Sequence, residues 1–251
     1  MKPSYHIKRL DWDSEFFGLR IGRATLDNHK GYEELWKNRK ALQKKYDLLY
    51  VFCEFWQWNR MPEADRKAIY KKKIKTHHGC KNVSIYEHDT PNEELYQLAL
   101  TSGEYSRFKL DTRLPDGSFE RLYRRWMEQS CNGNMADKVF VYREKGHILG
   151  MLTLSIEENE AEIGLIAVDC MTQGMGIGSK MLHVAENYLM HETEVRQLVV
   201  PTQLENRQAC LFYEKNKFRL DNVIYIYHWW LQEDCQCRRA GEGIEDTNHT
   251  K

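Results

Sequence analysis

Three glycines at alternate positions, Gly174, Gly176 and Gly178, stand directly before an apolar-periodic stretch in "MTQGMGIGSKMLHVAENYL" (171–189). Glycine reaches positive φ without steric cost and lets a ligand come close to the backbone. A helix start adds unpaired N–H groups and a positive dipole end, so the pair reads as a cradle for a phosphate. Two familiar cradles do not fit. A dinucleotide fingerprint needs G-x-G-x-x-G directly after a strand with an acid about 20 residues on, whereas the spacing here is G-x-G-x-G. A P-loop ends in Gly-Lys-Ser/Thr, and "GSK" reverses that order.

The surroundings of the loop are those of a mixed α/β chain. "KVFVYREKGHILGMLTLSIEENEAEIGLIAVD" (138–169) reads as three strands joined by tight turns at Lys145-Gly146 and Glu158-Asn159. The loop and a helix to about His191 follow. Next come a strand "RQLVVPT" (196–202), a helix "NRQACLFYEKNKF" (206–218) with Asn206 as N-cap, and a last strand "NVIYIYHWWL" (222–231). Upstream, "IGRATL" (21–26) and "DLLYVFCEF" (47–55) read as strands. "YEELWKNRKALQKKY" (32–46), "PNEELYQLALTSG" (91–103) and "DGSFERLYRRWMEQS" (116–130) read as helices. The expected division is an α/β domain over 1–88, a second domain over 89–232 and a polar, flexible tail over 233–251.

Composition removes several function classes. Lys plus Arg, 37, balances Asp plus Glu, 37, in a chain of 251 residues, so no basic surface calls for nucleic acid. The locally basic "KAIYKKKIK" (67–75) reads as a solvated amphipathic segment. Seven cysteines show no metal-knuckle spacing and no paired framework, which points to reduced thiols, a cytoplasmic setting and no metal. No apolar run approaches a membrane span and the first residues lack a signal-peptide core, so neither insertion nor export is expected.

"Q-G-M-G-I-G" (173–178), between a fourth strand and a third helix, matches the Q/R-x-x-G-x-G/A signature. By it the chain resembles the GCN5-related N-acetyltransferase (GNAT) superfamily. The resemblance implies an α/β fold with a mixed, mostly antiparallel central sheet flanked by helices, and acetyl-coenzyme A as cosubstrate. It places the pyrophosphate on backbone N–H groups of about Met175–Ser179. The implied cofactor contacts are Gln173, Gly174, Met175, Gly176, Ile177, Gly178 and Ser179 in the loop, with Leu165, Ile166, Ala167 and Val168 in the strand "EIGLIAVD". That strand splays from its neighbour in the family. N–H groups near Ile166 and Val168 then bond the pantetheine, and one near Leu165 or Ile166 polarises the thioester carbonyl. Gly164 in the strand fits a bulge or a close packing contact equally. In the next helix the resemblance assigns Asn206, Phe212 and Tyr213 to the cofactor and makes Tyr213 the general acid for the leaving sulfur. Glu162 is a candidate base.

A second resemblance lies outside those motifs. "RLDWDSEFFGLRIG" (9–22) and "YSRFKLDTRLPDGSFERLYRRWMEQS" (105–130) are similar to segments of the dTDP-fucosamine N-acetyltransferase family. It implies a dTDP-linked amino-deoxysugar as the amine acceptor, and a homodimer. Arg107, Phe108 and Phe17 become candidate substrate contacts, each also readable as an ion pair or a core residue. No counterpart exists for much of 56–90. Two other functions stay open: a peptide or protein N-acetyltransferase, and a module that binds acyl-coenzyme A without catalysis.

Overall fold

The structure, a computed structural model, describes residues 3–55 and 61–232, so the expected tail over 233–251 lies outside the described residues. Contacts divide the chain into two compact units, Met1–Asp65 with Ile224–Lys251, and Arg66–Val223. This division differs from the expected boundary at 88. The stretch without a counterpart builds two strands, β4 (Glu63–Lys73) and β5 (Val83–Ile85), which pair within the second unit.

The first unit holds β1 (Tyr5–Arg9), α1 (Asp11–Phe17), β2 (Ile21–Leu26), α2 (His29–Lys37), α3 (Arg39–Leu42) and β3 (Leu48–Cys53). The closing strand β10 (Arg219–Trp230) supplies its last residues to the same unit. The strands run in the order β1-β2-β3-β10, with β2 and β3 parallel and the other pairs antiparallel. The single helix expected over 32–46 is two. It breaks at Asn38, whose side chain donates to the Tyr5 hydroxyl at 2.8 Å, the local competition that disfavours asparagine inside a helix. Ala24, Leu35, Leu49, Val51 and Trp229 lie in its core.

The second unit continues with α4 (Glu93–Ser102), α5 (Arg107–Leu110), α6 (Ser118–Cys131), β6 (Lys138–Glu144), β7 (His147–Ile156) and β8 (Ala161–Val168). A short 3-10 turn (Cys170–Thr172), α7 (Ile177–Glu192), β9 (Gln197–Gln203) and α8 (Arg207–Lys215) complete it. Its strands follow the order β4-β9-β8-β7-β6-β5, and only β8–β9 is parallel. Strand alternation sorts the core into two layers. Phe140, Tyr142, Leu152 and Leu154 meet Met181, Leu182 and Ala185 of α7 and Tyr213 of α8. Val139, Val141 and Met151 meet Leu95, Leu98 and Ala99 of α4 and Met127 of α6. This is the mixed, mostly antiparallel sheet between helices that the glycine signature implied.

The basic stretch 67–75 is not a solvated segment. It runs through β4, paired to β9 from Lys67↔Gln203 to Lys73↔Gln197, with Ala68, Tyr70 and Ile74 buried. Lys72 joins that buried face because Glu186 of α7 lies there, 2.6 Å from its Nζ. The alternation of small and aromatic residues between the lysines carried this strand signal, and the charge masked it.

Candidate active site

The three glycines serve two different needs. Gly174 and Gly176 have φ of 81° and 76°, and a Cβ added at either would meet nothing within 4 Å. The left-handed backbone turn therefore asks for glycine, and the space in front of it is open. Gly178 has no such φ, but a Cβ there would come within 3.0 Å of the Phe212 ring, so it lets α7 lie close to α8. Gly176 is the N-cap of α7 and no side chain caps that end, which leaves the first-turn N–H groups facing the cleft. The Met175 N–H turns back to the Thr172 carbonyl at 3.4 Å. Gln173 braces the loop: its Oε1 accepts from Gln208 of α8 at 3.2 Å and its Nε2 donates to the Val168 carbonyl at 3.4 Å.

Strand β8 opens the second side of the cleft. It pairs with β9 only at Ala161↔Leu198 and Glu162↔Val199, and then parts from it. Against β7 the register shifts between Leu152 and Leu154, so that Gly164 and Leu165 oppose Thr153 alone. Gly164 thus sits in a bulge. The Leu165 N–H goes to Thr153 Oγ1 at 2.8 Å and the Asp169 N–H to the Leu149 carbonyl at 2.9 Å, both on β7. Because N–H direction alternates along a strand, those of Ile166 and Val168 point to the opposite, splayed edge. Of the two candidates for polarising a thioester carbonyl, Leu165 is committed to Thr153 and Ile166 is open to the cleft.

Helix α8 begins at Asn206, whose side chain accepts from the Ala209 N–H at 3.0 Å as expected of an N-cap. It ends in a left-handed residue, Lys217 (φ 70°), with Phe218 N–H donating to the Tyr213 carbonyl and Lys217 N–H to that of Glu214, each at 3.0 Å. This Schellman arrangement brings the Phe218 ring edge-on to Tyr213, with centroids 5.6 Å apart. Phe212 and Tyr70 flank the tyrosine on other sides, at 5.3 and 5.9 Å.

Two cavities meet at these residues. One, of about 340 Å³, is lined by the loop residues Thr172, Gln173, Gly174 and Gly176 to Ser179, by Ile166, Ala167 and Val168, and by Phe212 and Lys215 of α8. The C-terminal end of α4 and its following turn, at Thr101, Ser102, Glu104 and Tyr105, closes its far wall. The other, of about 280 Å³, is walled by Arg107, Phe108, Tyr123 and Trp126 from α5 and α6, by Thr153, Glu162 and Leu165 from β7 and β8, and by Lys67 and Thr202 from β4 and β9. Ser102, Ile166, Asn206, Ala209 and Tyr213 line both.

The charges follow from the packing. Partial desolvation in the cavity wall pushes the carboxyl of the otherwise exposed Glu162 above its ordinary range and the nearby Lys67 pulls it back, while Glu157 and Glu160 push it further up. Burial, followed by the Cys210 thiol, pushes the Tyr213 hydroxyl well above an ordinary tyrosine. Behind it Tyr70 donates to Glu214 Oε1 at 3.0 Å and is likewise raised, mainly by burial.

All the expected cofactor residues except Met175 and Leu165 line the first cavity, and Leu165 lines the second. Arg107 and Phe108 come together in the second cavity, at the start of a four-residue helix capped by Ser106. The Arg107 guanidinium lies 4.2 Å from the Phe108 ring centre. Phe17 belongs to the first unit, buried at the end of α1, and lines neither cavity. Reading the sequence missed Lys67, Tyr123, Trp126, Thr153 and the end of α4. Their only local signals were core periodicity and strand alternation, which do not distinguish a cavity wall from a core. Among the described residues no group of three or more His, Cys, Asp or Glu is placed to hold a metal, and no helix is long and apolar enough to cross a membrane.

Residues 94–218 match the Acetyltransferase (GNAT) family. The spore coat polysaccharide biosynthesis protein SpsD of Bacillus subtilis (strain 168) is 28% identical over 140 residues, 55% of this chain and 47% of its own. The chain spans about half the length of the curated relatives it matches. Among solved structures, a functionally unknown conserved protein from Staphylococcus epidermidis ATCC 12228 aligns over 92% of both chains at a TM-score of 0.57 and 12% identity. A GCN5-related N-acetyltransferase from Sphaerobacter thermophilus aligns over 91% of this chain and 77% of its own, at 0.52 and 12%. At such identities the likeness is one of fold. Through residues 94–218, about half of its length, this chain carries a domain of the acetyltransferase (GNAT) family.

Proposed function

We propose that the protein transfers the acetyl group of acetyl-coenzyme A to a primary amine on a small, hydroxyl-rich acceptor, an amino-deoxysugar linked to a nucleotide. The observation that carries this reading is the meeting of two cavities at Tyr213, Asn206 and Ile166. The first has the anion cradle that a pyrophosphate needs and a strand edge for pantetheine. The second is lined by residues of the kinds that sugars bind: the aromatic side chains of Phe108, Tyr123 and Trp126 with Arg107, Ser106, Ser130 and Thr202. Its volume of about 280 Å³ suits one sugar ring better than a peptide chain. The polysaccharide context in SpsD's name points the same way.

In this reading the deprotonated amine attacks the thioester carbonyl carbon and the carbon–sulfur bond breaks. The Ile166 N–H holds the oxygen as charge develops there. The surplus amine proton passes to Glu162, directly or through water. Tyr213 meets the sulfur. A thiol has a reference pKa of about 8.5 and tyrosine about 10, and burial drives Tyr213 higher still. Its role is therefore to stabilise the departing thiolate by a hydrogen bond rather than to surrender its proton.

Thiol release from acetyl-coenzyme A across an acceptor panel tests the proposal, with wild type and Tyr213→Phe side by side. The panel holds dTDP-4-amino-4,6-dideoxygalactose and -glucose, a free amino sugar and short peptides. Turnover confined to nucleotide-linked amines, falling at least about tenfold in Tyr213→Phe with cofactor affinity retained, is the expected result. Turnover on peptides alone overturns the sugar assignment. Cofactor binding with no turnover on any acceptor favours a non-catalytic module.

A further inference from the structure

The geometry points to Thr153 as the positioning residue that aims the acetyl-binding edge of β8, through one hydrogen bond from the Leu165 N–H to its side-chain oxygen. The inference rests on the acetyl-transfer reading of the same site and deepens it.

The β8 bulge reverses what faces where. Ile163, before it, packs in the layer with α7 and α8, and so do Ile166 and Val168 after it, while Leu165 and Ala167 pack with α4 and α6. An unbroken strand would put 163, 165 and 167 on one face. The extra residue therefore shifts the phase by one and rotates the N–H groups of Ile166 and Val168 to the splayed edge. A bulge leaves one N–H without its ladder partner, and an unpaired N–H in a buried strand is costly enough to make the register slip. Here Thr153 Oγ1, nearly fully buried on β7, takes the Leu165 N–H at 2.8 Å. Gly164 completes the device. A Cβ there would lie 3.1 Å from the same oxygen, so the glycine keeps open the space the hydroxyl occupies. A backbone shift of under an ångström at Ile166 is enough to misplace a carbonyl-polarising donor.

Thr153→Val keeps the shape and β-branching of the side chain but removes the acceptor, and Thr153→Ser keeps the acceptor. Two readouts separate aim from packing. The first is the carbonyl stretching frequency of bound, isotope-labelled acetyl-coenzyme A, which requires no acceptor. The second is kcat and KM with the best acceptor. In Thr153→Val the stretch returns toward its value in free solution and kcat falls about tenfold, below the full loss of an oxyanion donor, with KM for acetyl-coenzyme A unchanged. Thr153→Ser restores both. A folded Thr153→Val with the wild-type frequency and kcat overturns the inference, and so does a Thr153→Ser as impaired as the valine variant. Failure of wild-type protein to bind acetyl-coenzyme A instead brings down the acetyl-transfer reading itself, a result these variants do not mimic.

Discussion

Glu162 shows how one side chain couples chemistry to stability. Its carboxyl is raised above the ordinary 4.5, first by partial desolvation, and Lys67 limits the rise. The folded protein therefore holds this proton more tightly than the unfolded chain does. The cost of ionising Glu162 in the fold is absent below the ordinary carboxylate pKa and complete above the raised one. Glu162→Gln is expected to stabilise the protein only slightly at neutral pH, because the residue is exposed and water screens much of the effect, with the gain disappearing as pH falls below the ordinary value. Chemical denaturation at pH 7 and at pH 4 measures this. The same substitution removes the proposed proton acceptor, so the acid limb of kcat/KM, lying above 4.5 in the wild type, is lost along with most of the rate. A variant that is more stable and equally active would take Glu162 out of the chemistry.

At the same scale, the glycine triplet was the most legible part of the sequence because φ and close approach leave few alternatives to glycine. The sequence did not distinguish between the glycines, although the structure does: two turn the backbone and one admits a ring. Phe108 and Phe17 show the opposite limit. Both are buried aromatics in similar short phrases, yet one lines a cavity and the other a core. Burial alone is what sequence periodicity reports.

Elements were legible where their ends are marked by local chemistry. Asn206 caps its helix through a side-chain oxygen as expected, and Lys145-Gly146, both at positive φ, closes the β6–β7 hairpin; Asn28 and Asn92 cap helices in the same way, though the sequence reading did not mark them. Helix α5 was not legible, since four residues are too few to show a period. The C-terminus of α8 carries a testable imperfection. Lys217 occupies the left-handed position that a Schellman motif prefers to fill with glycine. A side chain there costs about 1–2 kcal/mol, and glycine's extra freedom in the unfolded chain gives part of that back. Lys217→Gly is expected to gain about 0.5–1 kcal/mol in urea denaturation, with kcat unchanged because Tyr213 keeps its carbonyl and ring contacts. A loss of stability would mean that the lysine side chain supplies a compensating contact.

Across the second unit, legibility followed distance along the chain. The cradle, the splayed strand and Tyr213 all come from residues 161–215, a nearly continuous segment, and the sequence placed them together. The second cavity draws on Lys67, Arg107, Trp126, Thr153 and Thr202, which only tertiary packing assembles. The same long reach governs how the unit is held. Lys72 of β4 donates to Glu186 of α7 at 2.6 Å and to the Asn216 carbonyl at the end of α8 at 3.0 Å. It thereby ties the helix that begins at the cradle to the helix that carries Tyr213. Glu186 is fully buried and also accepts from the Lys75 N–H at 3.0 Å, with His77 Nε2 at 3.2 Å. Such a pair is weak support when compared with apolar residues of the same volume, yet breaking it from one side strands a charge. Glu186→Leu is therefore expected to cost roughly 3–5 kcal/mol. Adding Lys72→Met to it removes the stranded ammonium and is expected to recover much of that loss. Urea denaturation of the two single variants and the double variant supplies the cycle. A double variant no more stable than Glu186→Leu would shift the weight from the ion pair to the part-buried Lys75 N–H, a backbone donor that neither apolar side chain can satisfy.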